Sequence, residues 1–128
     1  MQQVVLWKNE PDDHDYPAAA SYLSLRAPGE AVAALVAALR AAPITHAKAG
    51  DLLRAAGLPL LPADDQHVVK DIQKVRSGEL LPPVLLVRGD LGADLPLVVA
   101  DGYHRICAGS HLDEDSDIPC KLVGLPEG

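Results

Sequence analysis

Apolar and polar residues follow a helical rhythm in the first half of the chain. Between residues 30 and 42 the apolar side chains recur at i, i+3, i+4 and i+7, and Pro43 follows the segment. This spacing places them on one face of a helix. We therefore predict a structural helix over residues 30–42, with an inward face formed by Val32, Leu35, Val36 and Leu39.

Four further segments are predicted to be helical. The first begins at Pro17. The second has Leu52 and Leu53 on its inward face and ends at Gly57. The third has an apolar face and stops at Gly78, and the fourth follows Asp101-Gly102. Their predicted ranges are residues 17–25, 47–56, 68–77 and 103–111.

Short runs rich in Val, Leu and Ile predict strands. Residues 84–87 are uniformly apolar and precede turn-forming residues at 88–92. Similar runs predict strands over residues 3–8, 95–100 and 118–123. Residues 9–15, between the first strand and the first helix, are expected to be an irregular, solvated acidic loop.

Length and charge narrow the possible classes of protein. A chain of 128 residues with 48% hydrophobic residues fits one domain, and with 3% aromatics and no Phe its core must be packed from aliphatic side chains. A net charge of −7 opposes tight binding to nucleic acid, whose affinity depends on neutralising phosphates. A nucleic-acid partner is therefore not expected.

Cysteine content and hydropathy indicate a compartment. Cys107 and Cys120 are too few for a disulfide framework, which favours a reducing environment, although one bridge between them is compatible with the sequence. The first residues lack the features of a secretory signal, and the most apolar run, residues 31–42, is too short to span a bilayer. We expect a soluble, cytoplasmic protein without a membrane partner.

The stretch with the clearest chemistry is residues 97–108, where an apolar run leads through Asp101-Gly102 into a helix that starts with Tyr103-His104-Arg105. Unpaired backbone N–H groups and the macrodipole make a helix start favourable for anions. Gly102 permits close approach, and Arg105 has the planar fork that matches phosphate. Alternatively, Asp101-Gly102 is only a turn and N-cap, with Arg105 paired to a surface acid.

Two groups of potential metal ligands have structural alternatives, and no metal site is predicted. Asp12, Asp13, His14 and Asp15 are consecutive, which is more typical of a solvated turn than of a binding loop. In the second group, three side chains share one face of a predicted helix, and a cysteine later in the chain could be a fourth zinc ligand. A small cysteine buried in the core is more common than a zinc ligand at such a position. Its members are His104, Cys107, His111 and Cys120.

Three stretches, residues 80–89, 99–108 and 118–123, together resemble the superfamily of ParB N-terminal domains and sulfiredoxins. This resemblance spans about residues 58–123 and implies an α+β fold, with a small mixed β-sheet and packed helices. On this basis residues 58–128 form the core, and residues 1–57 form a mainly helical N-terminal extension packed on the same domain.

The families of this superfamily differ from one another, and from this chain, in the turn that follows Asp101. Sulfiredoxins have Gly-Cys-His-Arg where this chain has Gly102-Tyr103-His104-Arg105. Because a phenol cannot replace a thiolate nucleophile at neutral pH, sulfiredoxin activity is not expected. ParB-type domains have Gly-Glu-Arg-Arg at this turn, and the helix-turn-helix domain that follows in those proteins is not expected here. The sequence Asp-Gly-X-His-Arg more closely resembles the Asp-Gly-His-His-Arg of free-serine kinases and related domains, and this resemblance implies a nucleotide phosphate site formed by Asp101, Gly102, His104 and Arg105.

The same resemblance suggests a second contact. Aligning Val75-Arg76 with the corresponding sulfiredoxin helix places His67 near the phosphate-binding lysine of that family, with Lys70 one turn away. Either side chain would then reach an anion beside Tyr103, although simple solvent exposure explains both residues equally well.

The expected function is therefore binding of a phosphate group or nucleotide, with magnesium as an option. Nucleotide hydrolysis or phosphoryl transfer would use Asp101 or His104 for proton transfer or metal binding. Two alternatives stay open. One is a nucleic-acid-binding or nuclease-like ParB-type domain, and the other is a non-catalytic module that binds a protein partner or a second copy of the chain.

Overall fold

A computed structural model of the chain describes residues 5–124 as five helices and four strands. The α+β class predicted from the sequence is confirmed. In chain order the elements are α1 (Asp15–Leu23), α2 (Gly29–Ala41), β1 (Thr45–Lys48), α3 (Ala49–Ala56), α4 (Gln66–Arg76), β2 (Val84–Val87), β3 (Val98–Asp101), α5 (Tyr103–Leu112) and β4 (Asp117–Val123).

The four strands form one mixed sheet in the order β1-β4-β2-β3. Strands β2 and β4 are parallel, and the two outer strands are antiparallel to their neighbours. All four residues of β2 are buried. An uninterrupted apolar run is typical of such a strand, because both of its faces lie against other layers.

Helices cover both faces of the sheet, so the core has two parts. Helices α1 and α2 pack on one face against Leu85, Val87 and Ala100. Helices α3, α4 and α5 pack on the other, against alternating β2 and β4 residues that include Val84 and Ile118. Because successive strand side chains point to opposite faces, β2 contributes to both clusters.

Several elements lie close to their predicted positions because strong local patterns specify them. Helix α2 buries Val32, Leu35 and Leu39, as its apolar spacing predicted. Helix α3 buries Leu52 and Leu53 and ends at Gly57 in the left-handed conformation, with φ 65°. Strand β2 has the predicted limits, and α5 and β4 each differ from their predicted range by one residue.

Strand β1 was not predicted, and the helix expected from Ala47 begins instead at Ala49. Residues Thr45–Lys48 pair along their whole length with β4. The segment Thr-His-Ala-Lys has no apolar alternation, so nothing local identifies it as a strand. Its extended conformation comes from hydrogen bonds to β4, a tertiary effect that overrides local propensity.

Three other predicted boundaries need correction. The strand expected over residues 3–8 is a single bridge between Trp7 and Leu81, and residues 3 and 4 lie outside the described part. The first helix is shifted to Asp15–Leu23. Strand β3 starts at Val98, because Leu95 pairs locally with Asp90 instead. Among residues 5–124, no helix is both long and apolar enough to cross a membrane.

Candidate functional site

Strand β3 ends at Asp101, and Gly102 turns the chain directly into α5. Gly102 has φ 108°, which side-chain-bearing residues rarely adopt. A Cβ atom there would also lie 2.5 Å from Cγ1 of Val84. The glycine is therefore required by the turn and by its packing on β2, independently of any ligand.

Arg105 is a buried residue, at 8% exposure, and its side chain is bound to groups of the protein itself. Its Nη1 donates to the carbonyl oxygens of Pro82 and Pro83 at 2.7 and 3.1 Å. Its Nη2 lies 2.5 Å from Oδ2 of Asp101, and Nη1 lies 3.6 Å from Oδ2 of Asp15. We call Asp15, Asp101 and Arg105 the Arg105 cluster. The guanidinium predicted to contact phosphate instead donates to the carbonyl oxygens of Pro82 and Pro83 and to the Asp101 carboxylate.

Asp15 was expected in a solvated loop, and this expectation is wrong. It is the first residue of α1, is only 4% exposed, and accepts a hydrogen bond from the backbone N–H of Asp12 at 2.9 Å. It is buried because Arg105 supplies a compensating charge. The local sequence contains no signal for this, because the partner belongs to a distant segment.

Burial raises the pKa of Asp101 to about 6, and the neighbouring Asp15 carboxyl adds to this rise, whereas Arg105 opposes it. A carboxyl group that titrates near neutral pH is suited to general acid–base chemistry. The Asp101 side chain keeps 20% of its surface exposed, so solvent can reach it.

Two other side chains of α5 hold the segment between α3 and α4. The Tyr103 hydroxyl donates to the carbonyl oxygen of Pro59 at 2.6 Å. Nε2 of His111 lies 2.6 Å from the carbonyl oxygen of Leu61. These contacts explain Tyr103 and His111 as anchors of residues 58–62, which adjoin the start of α4.

The two predicted histidine ligands are brought together. The His67 and His104 rings have their centroids 4.7 Å apart and are tilted by 43°. His67 is the second residue of α4 and His104 the second residue of α5, so the starts of both helices are adjacent. Lys70 is exposed about one turn further along α4.

The two helix starts differ in their capping. The Asp65 carboxylate caps α4 by accepting from the backbone N–H groups of His67 and Val68 at 3.0 and 3.1 Å. In the described part of the chain, no side chain caps α5. The first N–H groups of a helix have no partner within it, so an acceptor from outside could bond to those of α5.

The alternative zinc arrangement is not assembled in the structure. Cys107 and Cys120 are both buried free thiols. Burial raises the pKa of each, which favours the protonated form over the thiolate that binds metal. Within residues 5–124, no three His, Cys, Asp or Glu side chains are grouped so that they could hold a metal ion.

No protein-family model, curated protein or solved structure matches the chain.

Proposed function

We propose that the protein binds a phosphate group, free or as part of a nucleotide, at the start of α5 beside the adjacent rings of His67 and His104. The observation that carries this proposal is the contact between the two imidazole rings at adjacent helix starts. Both helices direct the positive ends of their macrodipoles to this region, and imidazole N–H groups supply directed donors.

The difference in capping supports α5 as the helix that binds the anion. Asp65 already satisfies N–H groups of α4, whereas a phosphate oxygen would do the same for the first turn of α5. His67, His104 and Lys70 would then contact the remaining oxygens. Magnesium accompanying a nucleotide would offset the negative charge of the nearby Asp65 carboxylate.

Arg105 and Gly102 have a positioning role in this proposal. Arg105 holds the end of β3 through Asp101, and Gly102 makes the turn that orients His104. The resemblance of Asp101-Gly-X-His-Arg105 to the phosphate turns of free-serine kinases, and more widely to the ParB and sulfiredoxin superfamily, is a further argument for a ligand here. If the ligand is turned over, Asp101 and His104 are the candidates for proton transfer.

Calorimetry with inorganic phosphate, pyrophosphate and nucleoside di- and triphosphates, with and without magnesium, tests the binding site. We expect at least one of these to bind, and the paired substitution His67→Ala with His104→Ala to weaken it roughly tenfold or more, since charge-assisted hydrogen bonds are lost. His46→Ala, at an exposed position of β1, is the matched control and should leave the affinity unchanged.

Failure of every phosphate compound to bind would contradict the proposal, as would equal affinities of the paired variant and the wild-type protein. Phosphate release under single-turnover conditions then separates an enzyme from a binding module. Asp101→Asn should abolish release in an enzyme while phosphate binding persists.

A further inference from the structure

A pocket of about 450 Å³ lies at the other end of the sheet from the Arg105 cluster. Its walls come from β1, α3, β2, β4 and the connection between β2 and β3. This volume is within the usual range for small-molecule sites. Its lining includes His46, Leu52, Ala55, Leu86, Arg88 and Leu91.

The pocket is separate from the proposed phosphate site. Strand β3 is antiparallel to β2, with Asp101 paired to Leu85 and Val98 paired to Val87. The start of α5 therefore adjoins the beginning of β2, whereas the pocket adjoins its end, around Arg88. In open sheets, ligands commonly bind beyond the carboxyl ends of parallel strands, and β2 and β4 are the parallel pair here.

The pocket wall is aliphatic. Leu52 and Ala55 line it from α3, and Leu86 lines it from β2. On the connection between β2 and β3, Leu91 is 99% exposed and Leu95 is 47% exposed. An apolar ligand would remove part of this leucine surface from water, which is favourable in proportion to the area buried. Among the described residues that line the pocket, the His46 imidazole is the only aromatic ring, so the wall suits a flexible aliphatic chain.

Charged groups at the rim favour a ligand with one negative charge. The Asp51 carboxylate is paired with Arg54 at 2.6 Å, and Oδ1 of Asp90 accepts from the backbone N–H groups of Gly92 and Ala93. Arg88 forms no ion pair with any residue in the described range 5–124. It follows β2 directly, and its backbone N–H donates to the carbonyl oxygen of Val123 at 2.7 Å, which fixes its position.

We propose that this pocket binds a small aliphatic carboxylate, with its chain against the leucine wall and its carboxylate on Arg88. A guanidinium group can bind a carboxylate through two parallel hydrogen bonds, which gives orientation as well as affinity. The chain then lies along Leu52, Ala55 and Leu86. This site and the proposed phosphate site have no residue in common.

Octanoate and octanol are suitable probes, because they differ in charge but have similar chains. By calorimetry on the full chain, octanoate should bind roughly tenfold more tightly than octanol, reflecting one charge-assisted interaction. Arg88→Ala should bring octanoate to the affinity of octanol. Arg76→Ala, at an exposed position at the end of α4, is the control and should preserve the difference.

Two substitutions test the aliphatic wall. Ala55→Phe places a ring in the pocket and should weaken both probes, whereas Ala38→Phe, at an exposed position of α2, should weaken neither. Leu91→Ser alters a fully exposed side chain and should weaken both probes without changing the unfolding midpoint, so the test holds even if Ala55→Phe perturbs folding.

The proposal would be overturned by equal affinities of the wild-type protein for octanoate and octanol, or by no octanoate binding. It would also be overturned if Leu91→Ser and Ala55→Phe both left octanoate binding unchanged. Loss of phosphate binding in the His67 and His104 variants has no bearing on these measurements, because those residues lie outside the pocket.

Discussion

Arg105 joins segments that are far apart in the sequence. It bonds to the Pro82 and Pro83 carbonyl groups before β2 and to Asp101 at the end of β3, and it lies beside Asp15 at the start of α1. The arginine neutralises carboxylates that would otherwise be buried with little compensation. It thereby secures the turn that presents His104.

Arg105→Ala is expected to destabilise the protein by about 3–5 kcal/mol, because it leaves Asp15 and Asp101 without their cation. Urea unfolding at neutral pH measures the change. Arg54→Ala removes an exposed ion pair with Asp51 and should cost less than about 1 kcal/mol. Equal losses for the two variants would show that the Arg105 cluster contributes no more than a surface pair.

Asp101 predicts a specific pH dependence. Its pKa is raised from 3.8 to about 6 in the folded protein, so folding takes up a proton between these values. The contribution of Asp101 to the free energy of unfolding should therefore decrease as pH rises through this window. Asp101→Asn cannot titrate and provides the reference.

Urea unfolding of both proteins at a series of pH values isolates this effect. The stability of the wild-type protein relative to Asp101→Asn should fall from about pH 4 to about pH 6 and then become constant. A difference that does not vary with pH would contradict the assignment of the raised pKa to Asp101.

Single residues also show how far the sequence predicts the site. The pairing of Arg105 with a surface acid was one alternative, whereas its partner Asp101, four residues earlier in the chain, is partly buried. Asp15 could not be identified as the second acid, because only the folding of α1 against β3 brings it close. His67 and His104 were both predicted as ligands, but their ring contact depends on how α4 packs on α5.

At the scale of elements, α2 and β2 were predictable because their apolar patterns are continuous, whereas β1 depends on its partner strand. Helix α3 was predictable at its end, where Gly57 supplies the left-handed residue. Helix α3 starts two residues later than predicted, because Thr45–Lys48 pairs with β4 as a strand of the sheet. Patterns thus specify elements best where the stabilising contacts are local or the burial is uniform.

Gly50 within α3 and Gly57 at its C-terminal end provide a matched test of whether Gly57 is needed to end the helix. Gly57→Ala forces alanine into φ 65° and should destabilise the protein by about 1 kcal/mol. Gly50→Ala lies within the helix, where a Cβ meets nothing within 4 Å, and should be neutral or stabilising by up to about 1 kcal/mol. Thermal unfolding compares them, and a similar loss in both would contradict the assigned role of Gly57.

At the scale of the whole molecule, the two parts of the hydrophobic core lie on opposite faces of one sheet. Leu39 belongs to the layer of α1 and α2, whereas Ile106 belongs to the layer of α3, α4 and α5. Strand β2 contributes Leu85 to the first cluster and Leu86 to the second. Loss of either layer would expose one face of the sheet, so the two should unfold together.

Leu39→Ala should cost about 2–5 kcal/mol, as expected for a buried leucine. Trp7 packs against the opposite cluster and reports its unfolding through fluorescence. In the variant, the urea midpoints from Trp7 fluorescence and from circular dichroism should therefore fall by the same amount. An unchanged fluorescence midpoint would mean that the two layers unfold independently.

The Arg105 cluster also has an evolutionary consequence. An arginine that pairs with the buried Asp15 and the partly buried Asp101 and binds two carbonyl groups cannot be replaced alone without leaving charges or acceptors unsatisfied. Substitutions of Asp15, Asp101 and Arg105 should accordingly covary among related sequences, whereas His67 and His104 should vary with the ligand. The spacing of the three cluster residues would then identify distant relatives that have lost the histidine pair.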